Sequence, residues 1–296
     1  MDMQSVSIIG IGRIGGALAL ALSRAGYNVE NLIYRTPGNA EEIAHLISPP
    51  PRLIPFHELD ALTTDFIFIT SADPEIELIS QQLASFASSD TCVFHTSGSQ
   101  SSDVLSGLAD RGCITGSIHP LISVSDPFMG GERLAGSYFC VEGSKAAVAI
   151  ANDLVKKLKG IPFAIETRLK PLYHASAVTA SGHLVALIDV AIEMLSKCGL
   201  NSAEAKQVLI PLIRSTVENV ENQSTDQALT GTFARADTGA FERHIAALKE
   251  NVSSQARQIY LELGERSLLL AEMQSAPGED VEKIRNGISI AKSITK

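Results

Sequence analysis

Short apolar runs alternate with longer stretches of helical periodicity through the first half of the chain. Val6-Ser7-Ile8-Ile9 is a brief apolar run that ends in glycine, and residues 14–25 repeat Ala and Leu at helical spacing. Residues 29–34 read as a second strand and residues 65–70 as a buried one. Cys92-Val93-Phe94, Cys113-Ile114-Thr115 and Tyr138-Phe139-Cys140-Val141 read as later strands. Helices are expected at 74–87, 102–108 and 145–158. Strands interleaved with helices predict an α/β fold, a Rossmann-type doubly wound parallel sheet covered on both faces.

After Arg168 the strand signals stop. Residues 171–197 predict one long helix, with Pro171 at a permitted first-turn position. It is apolar on nearly all sides, and only Asp189, Glu193 and Lys197 form a charged stripe. A helix of that kind is buried in a large core or between subunits. Gly199 ends it, and Asn201 with Glu204 makes a capping-box start for the next helix, which Pro211 is expected to kink. Further helices are expected at 239–250, 253–263 and 278–290. The pattern divides the chain into a Rossmann domain, 1–168, and an all-α substrate and dimerisation domain, 169–296.

Composition narrows the function classes. At 45% hydrophobic and 19% charged residues the chain is globular rather than disordered. A formal charge of -9 argues against non-specific nucleic-acid binding, which depends on Lys and Arg contacts to phosphate. Cys92, Cys113, Cys140 and Cys198 show no CxxC or metal-ligand spacing, so buried free thiols in a reducing compartment are expected, with no metal. The sequence shows no signal peptide and no uninterrupted apolar stretch long enough for a bilayer, so a cytoplasmic protein without a membrane partner is expected.

Gly10-Ile11-Gly12-Arg13-Ile14-Gly15 is GxGxxG, placed where a strand ends and a helix begins. In that context Gly10 permits the turn, Gly12 lets backbone approach a pyrophosphate, and Gly15 lets helix and strand pack closely. Arg13 and Ile14 lie in the same turn, and the helix N-terminus supplies free N–H groups to phosphate. The second strand ends at Tyr34-Arg35-Thr36, where an NAD enzyme would place Asp or Glu. Arg35 and Thr36 can instead contact a 2′-phosphate, which predicts NADP rather than NAD. Later strand ends carry small, polar or proline residues: Thr70-Ser71-Ala72-Asp73-Pro74, His95-Thr96-Ser97-Gly98-Ser99 and Ser117-Ile118-His119-Pro120. Thr70, Ser71, Ala72, Thr96 and Ser97 are candidate cofactor contacts. Ser97, Gly98, Ser99 and Pro120 are candidate substrate contacts. His95, nearer its strand, also fits a packed histidine.

HTSGS (95–99), GSIHPL (116–121), LYHASAV (172–178), PLIRSTVEN (211–219) and ALTGTFARAD (228–237) together resemble the short-subunit dehydrogenase-like oxidoreductases. That family pairs an N-terminal Rossmann domain with a helical C-terminal domain of unknown function. The wider clan is similar to pyrroline-carboxylate reductases, β-hydroxyacid dehydrogenases and deazaflavin-dependent NADP reductases. The resemblance implies a helical dimerisation domain and an active site between the domains, without implying a substrate. Two segments depart from the pattern: Ser181-Gly182-His183 where relatives tend to carry Asn, and Thr232 and Ala236 where they tend to carry Pro and Gly. Ser181 and Arg235 complete the candidate substrate contacts.

The combined reading is an NADP(H)-dependent oxidoreductase that moves a hydride to or from a small carbonyl, imine or hydroxyl compound, as a homodimer through its C-terminal helices. Lys170 and His174, at i and i+4, share a helix face and are the expected proton-handling pair, with His119 next. Lys170 stands at a helix N-terminus, which should lower its pKa. The resemblance agrees, since β-hydroxyacid dehydrogenases place a catalytic lysine and an amide one turn apart there. The alternative is a dinucleotide-binding redox sensor or scaffold without turnover.

Overall fold

The computed structural model describes residues 3–60 and 62–293. Eight strands form one sheet: β1 (Ser5–Ile9), β2 (Asn28–Tyr34), β3 (Arg52–Pro55), β4 (Phe66–Ile69), β5 (Cys92–His95), β6 (Ile114–Pro120), β7 (Tyr138–Gly143) and β8 (Ile161–Ala164). Their order is β3-β2-β1-β4-β5-β6-β7-β8, and every neighbouring pair is parallel except β6 with β7. The order reverses direction between β1 and β4, the switch point of the doubly wound fold.

The strands are apolar on both faces because helices cover both. Along β4 the side chains alternate. Phe66 and Phe68 join a core with Ile8 and with Leu18 and Leu22 of α1 (Arg13–Arg24). Ile67 and Ile69 join a second core, with Ile9 and Val93. Phe66, Phe68 and Phe94 stack in series, with ring centroids 6.4 and 5.9 Å apart. The remaining helices of this part are α2 (Asn39–His45), α3 (Asp73–Leu83), α4 (Ser106–Ala109), α5 (Pro127–Arg133), α6 (Lys145–Lys157) and α7 (Lys170–Ala180).

Two strands escape the periodicity argument. β3 and β8 are each four residues long and contain proline, and both lie at sheet edges, where a missing N–H is tolerated. The expected helix at 102–108 is a 3₁₀ turn, Ser102–Leu105, followed by the single turn of α4.

The chain separates into two compact units between Ser181 and Gly182. The expected helix over 171–197 is therefore two helices, α7 and α8 (Gly182–Ser196). Ser181 Oγ donates to Ala177 O at 2.7 Å, a back-bond that competes with the helix ladder, and a glycine follows.

The second unit adds α9 (Ser202–Asn222), two short helices α10 (Thr225–Ala228) and α11 (Gly231–Ala234), then α12 (Thr238–Asn251), α13 (Ser254–Met273) and α14 (Gly278–Ser293). The Asn201–Glu204 capping box forms as expected, and α9 continues through Pro211. Its core gathers Phe241, Leu261, Leu268, Val281, Ile284 and Ile288. Of the two places expected for the apolar helix, a core within the chain is not the one α8 takes, since none of its residues is buried within the chain; Val185 is 69% exposed. Residues Thr167–Ser196 include a window of mean hydropathy 1.6, long and apolar enough by length and composition to cross a membrane. Cys92, Cys113 and Cys140 are buried free thiols, whereas Cys198 is exposed.

Candidate active site

The glycine turn is built by close contacts on one side and open space on the other. Gly10 has φ +99°, the left-handed region that favours glycine, and a Cβ there would come within 2.8 Å of Ser71 N. A Cβ on Gly15 would collide with the Gly10 carbonyl and Thr70 Oγ1. Thr70 locks the turn by donating to Gly10 O at 2.5 Å. Gly12, the N-cap of α1, has no side-chain cap and meets nothing within 4 Å. The first N–H groups of α1 thus face open space, with Arg13 exposed and Ile14 half-buried beside them.

A cavity of about 270 Å³ lies against this turn, lined by Gly10–Gly12, Tyr34, Arg35, Thr36, Ser71, Ala72 and Glu75. These fit a dinucleotide: bare backbone for a pyrophosphate, a cation and a hydroxyl at the end of β2 for a 2′-phosphate. Arg35 already has protein partners. It forms an ion pair with Glu75, and its guanidinium lies 5.8 Å from the Phe56 ring centroid. Neither Glu75 nor Phe56 emerges from the sequence reading.

The loop after β5 is tied to the start of α3. Ser97 Oγ accepts from Ser99 N at 3.1 Å and Gln100 N at 3.0 Å, and Ser99 Oγ donates to Asp73 Oδ2 at 2.5 Å. Ser97 and Gly98 are buried, while Thr96 and Ser99 are half-buried. His95 is a packed histidine: Nδ1 accepts from Ser97 N at 3.2 Å, which leaves Nε2 to donate to Ser101 O at 3.2 Å. Burial first, then the charge of Lys170, pushes its pKa down to about 4.

The start of helix α7 reaches β6 and β7 through side chains and brings three of them to this end of the sheet. Lys170 is fully buried. Its Nζ donates to Ser117 Oγ and lies 3.6 Å from Glu142 Oε1, also fully buried. Glu142 in turn accepts from Ser102 N and Ser102 Oγ, each at 2.8 Å. Lys170 opens α7 as expected, but it points into this sealed network and does not line the cavity beside it. Its pKa is lowered mainly by burial, with Glu142 opposing.

One turn on, the Tyr173 hydroxyl bonds His119 Nδ1 at 2.7 Å. His119 and His174 meet edge to face, with centroids 5.9 Å apart. Both rings press on Gly98: a Cβ there would lie 2.8 Å from His119 Nε2 and would collide with His174 Nδ1, a buried nitrogen without a protein partner. A cavity of about 520 Å³ opens from the two imidazoles, with Ser123, Ser176 and Ser181 on its wall. Burial, then the charge of Lys170, lowers the His119 pKa to about 4. Pro120 is buried at the end of β6, and Arg235 is exposed after α11 in the second unit. Within the first unit the structure therefore joins His119, His174 and Gly98. It adds Tyr173 and Glu142, which the sequence reading missed, and it gives Ser117, read from the sequence only as part of a polar strand end, a partner in Lys170. Glu142 had a usable signal, an acid inside the apolar run Tyr138–Gly143.

Two predictions follow from the buried charges. Lys170→Met removes the cation that faces Glu142 in the interior, and should cost about 3–5 kcal/mol in urea unfolding. The double variant with Glu142→Gln should recover part of that loss. His95 and His119 stay unprotonated in the folded chain down to about pH 4, whereas unfolded histidine titrates near 6.5. Unfolding between those values takes up protons, so stability should be full above about pH 6.5 and fall as the pH drops towards 4. Unfolding curves at several pH values should show this slope, and His95→Gln should flatten it.

A Rossmann-like domain matches residues 2–120, and a domain of unknown function, DUF2520, matches residues 137–267. No curated protein matches the chain. Among solved structures, a candidate NADP oxidoreductase from Bacteroides fragilis aligns with TM-score 0.71 at 20% identity, over 90% of this chain and 98% of that one. An imine reductase from Pseudomonas sp. aligns with TM-score 0.56 at 18% identity, over 99% and 95%. A pyrroline-5-carboxylate reductase from Coxiella burnetii aligns with TM-score 0.57 at 11% identity, over 92% and 98%. At these identities the likeness is one of fold. The glycine turn at the sheet's switch point thus lies in the part that matches a Rossmann-like domain, and β7, β8 and most of the helical region after them lie in the part that matches DUF2520.

Proposed function

We propose that the chain is an NADP(H)-dependent oxidoreductase acting on a small carbonyl or imine, or on the corresponding hydroxyl or amine. The observation that carries this is the open backbone at Gly12, at the same carboxyl end of the parallel strands as the His119–Gly98–His174 cluster. The names of the Bacteroides, Pseudomonas and Coxiella proteins, an NADP oxidoreductase and two reductases, support the same class.

In this reading the turn Gly10–Gly12 and the start of α1 hold the pyrophosphate, and Arg35 with Thr36 takes the 2′-phosphate. Thr70–Ala72 and Thr96–Gly98 provide small side chains along the rest of the cofactor. The bound nicotinamide supplies or accepts the hydride. The chain handles the matching proton. His119 is unprotonated near neutral pH, and its Nδ1 is engaged by Tyr173, so Nε2 is the nitrogen that faces Gly98. It hydrogen-bonds the substrate heteroatom and orients it. His174, on the cavity wall, exchanges the proton. Lys170 is a positioning residue: its bond to Ser117 and pairing with Glu142 hold the first turn of α7, and so place Tyr173 and His174.

Calorimetric titration with NADPH, followed by NADPH oxidation against ketones and cyclic imines, tests the reading. His174→Phe should keep NADPH affinity and lose roughly 100- to 10,000-fold in turnover. Absence of dinucleotide binding sinks the proposal. Tight binding without turnover across the panel would favour the sensor instead.

We also propose that α8 and α9 pair with a second copy of the chain. Val185 on α8 and Val208 and Leu212 on α9 are 69%, 58% and 62% exposed. Side by side the helices present a face of roughly 30 by 20 Å, approaching the ~800 Å² per partner of a standard interface. A bilayer is the poorer occupant, because α8 carries Asp189 and Glu193, and Glu193 accepts from Ser253 N at 2.8 Å. Light scattering at micromolar concentration should give twice the chain mass, and Val185→Glu with Leu212→Glu should give monomer. A monomeric unmodified protein, or one that sediments with vesicles, would overturn this.

A further inference from the structure

The cation at the end of β2 is held before any ligand arrives. Phe56, just past β3, offers its ring to the Arg35 guanidinium, and the first turn of α3 offers the Glu75 carboxylate. An acid is stable there because the N-terminal end of a helix favours negative charge. Arg35 and Glu75 are 65% and 30% exposed in their side chains, and both line the cavity against Gly10–Gly12. A 2′-phosphate in that cavity would compete with Glu75 for the same guanidinium. It would also sit close to a like charge. An adenosine ribose with a free 2′-hydroxyl meets neither penalty, and it finds in Glu75 an acceptor for that hydroxyl. Sites for the unphosphorylated dinucleotide place an acid at the end of the second strand. Here an acid reaches that same cavity from α3.

We propose that Glu75 is a specificity-determining residue, which pre-orients Arg35 while opposing the 2′-phosphate, so that the preference for NADP(H) over NAD(H) stays small. The inference rests on the dinucleotide reading above. It follows that the phosphate preference is set by the Arg35–Glu75 balance and not by Arg35 alone. It also follows that removing only the negative charge sharpens the preference.

Fluorescence or calorimetric titration of the full chain with NADPH and NADH tests this in the unmodified protein and in Glu75→Gln, Arg35→Gln and the double variant. Glu75→Gln keeps the side-chain size and should tighten NADPH about three- to tenfold, a gain of the size of a partly exposed charge contact. NADH affinity should stay level or weaken. Arg35→Gln should weaken NADPH selectively, and in its background Glu75→Gln should lose part of its effect, because the two charges act on each other. Rising salt should shrink the difference between the dinucleotides in Glu75→Gln more than in the unmodified protein. Unchanged NADPH affinity in Glu75→Gln, or an equal loss for both dinucleotides with an unaltered melting temperature, would overturn the proposal and leave Glu75 a structural partner of Arg35. If the unmodified protein binds neither dinucleotide, the reading of the whole site falls, a result distinct from binding that is indifferent to Glu75.

Discussion

A lysine and a glutamate lie side by side in the interior with no exposed surface, the hardest pair of groups in this fold to bury. Each charge has left water, and attraction between them alone would not compensate. The surroundings supply the rest: Ser102 donates twice to Glu142, and Ser117 accepts from Lys170. These partners come from the 3₁₀ turn after β5, from β6, from β7 and from α7. Four elements distant in sequence therefore have to meet at one point. Once Lys170 is docked, helical geometry delivers the residues that follow. Tyr173 reaches His119, and His174 reaches Gly98. The anchor also accounts for α7 staying with the sheet, so that the compact units separate at Ser181/Gly182 and not where the strand signals end.

The cofactor side depends on a different constraint, the absence of side chains. Gly10 and Gly15 are fixed by what a Cβ would strike, and Gly12 by the space left around it. Thr70 holds the turn through one hydroxyl, and through the backbone Thr70 N donates to Ile9 O at 2.8 Å. In the proposed dinucleotide reading, recognition there is by main-chain N–H groups, which tolerate many dinucleotides. Selectivity must therefore come from the rim, where Arg35, Phe56 and Glu75 meet.

Much of this was legible in the sequence because it is local. The glycine spacing, the central strands, the Asn201–Glu204 cap and the alternation of strand and helix each need only neighbouring residues to be read. The i, i+4 relation of Lys170 and His174 was legible for the same reason. Their different fates were not. Lys170 turns inward because Glu142 waits on β7, and a sequence cannot show which acid faces which base across a sheet. Glu75 and Arg35 are the same case, joined by the packing of α3 near the end of β2. The edge strands β3 and β8 were hidden by proline and shortness. The break at Ser181 was hidden by apolar residues on both sides, since periodicity registers the faces of a helix and not its continuity.

The same buried lysine also sets the electrostatic character of the substrate end. Its charge adds to burial in keeping His95 and His119 unprotonated well below neutrality. The Tyr173 hydroxyl and the Cys140 thiol are pushed the other way, Cys140 to about 11, both mainly by burial, so they too stay neutral. In the proposed reading, a substrate oxygen or nitrogen beside His119 therefore meets polar groups, His119, Tyr173 and Cys140, that carry no charge near neutral pH. Such groups can orient and polarise without forming an ion pair. The two charges that make this possible are themselves removed from the chemistry, sealed against each other beneath it.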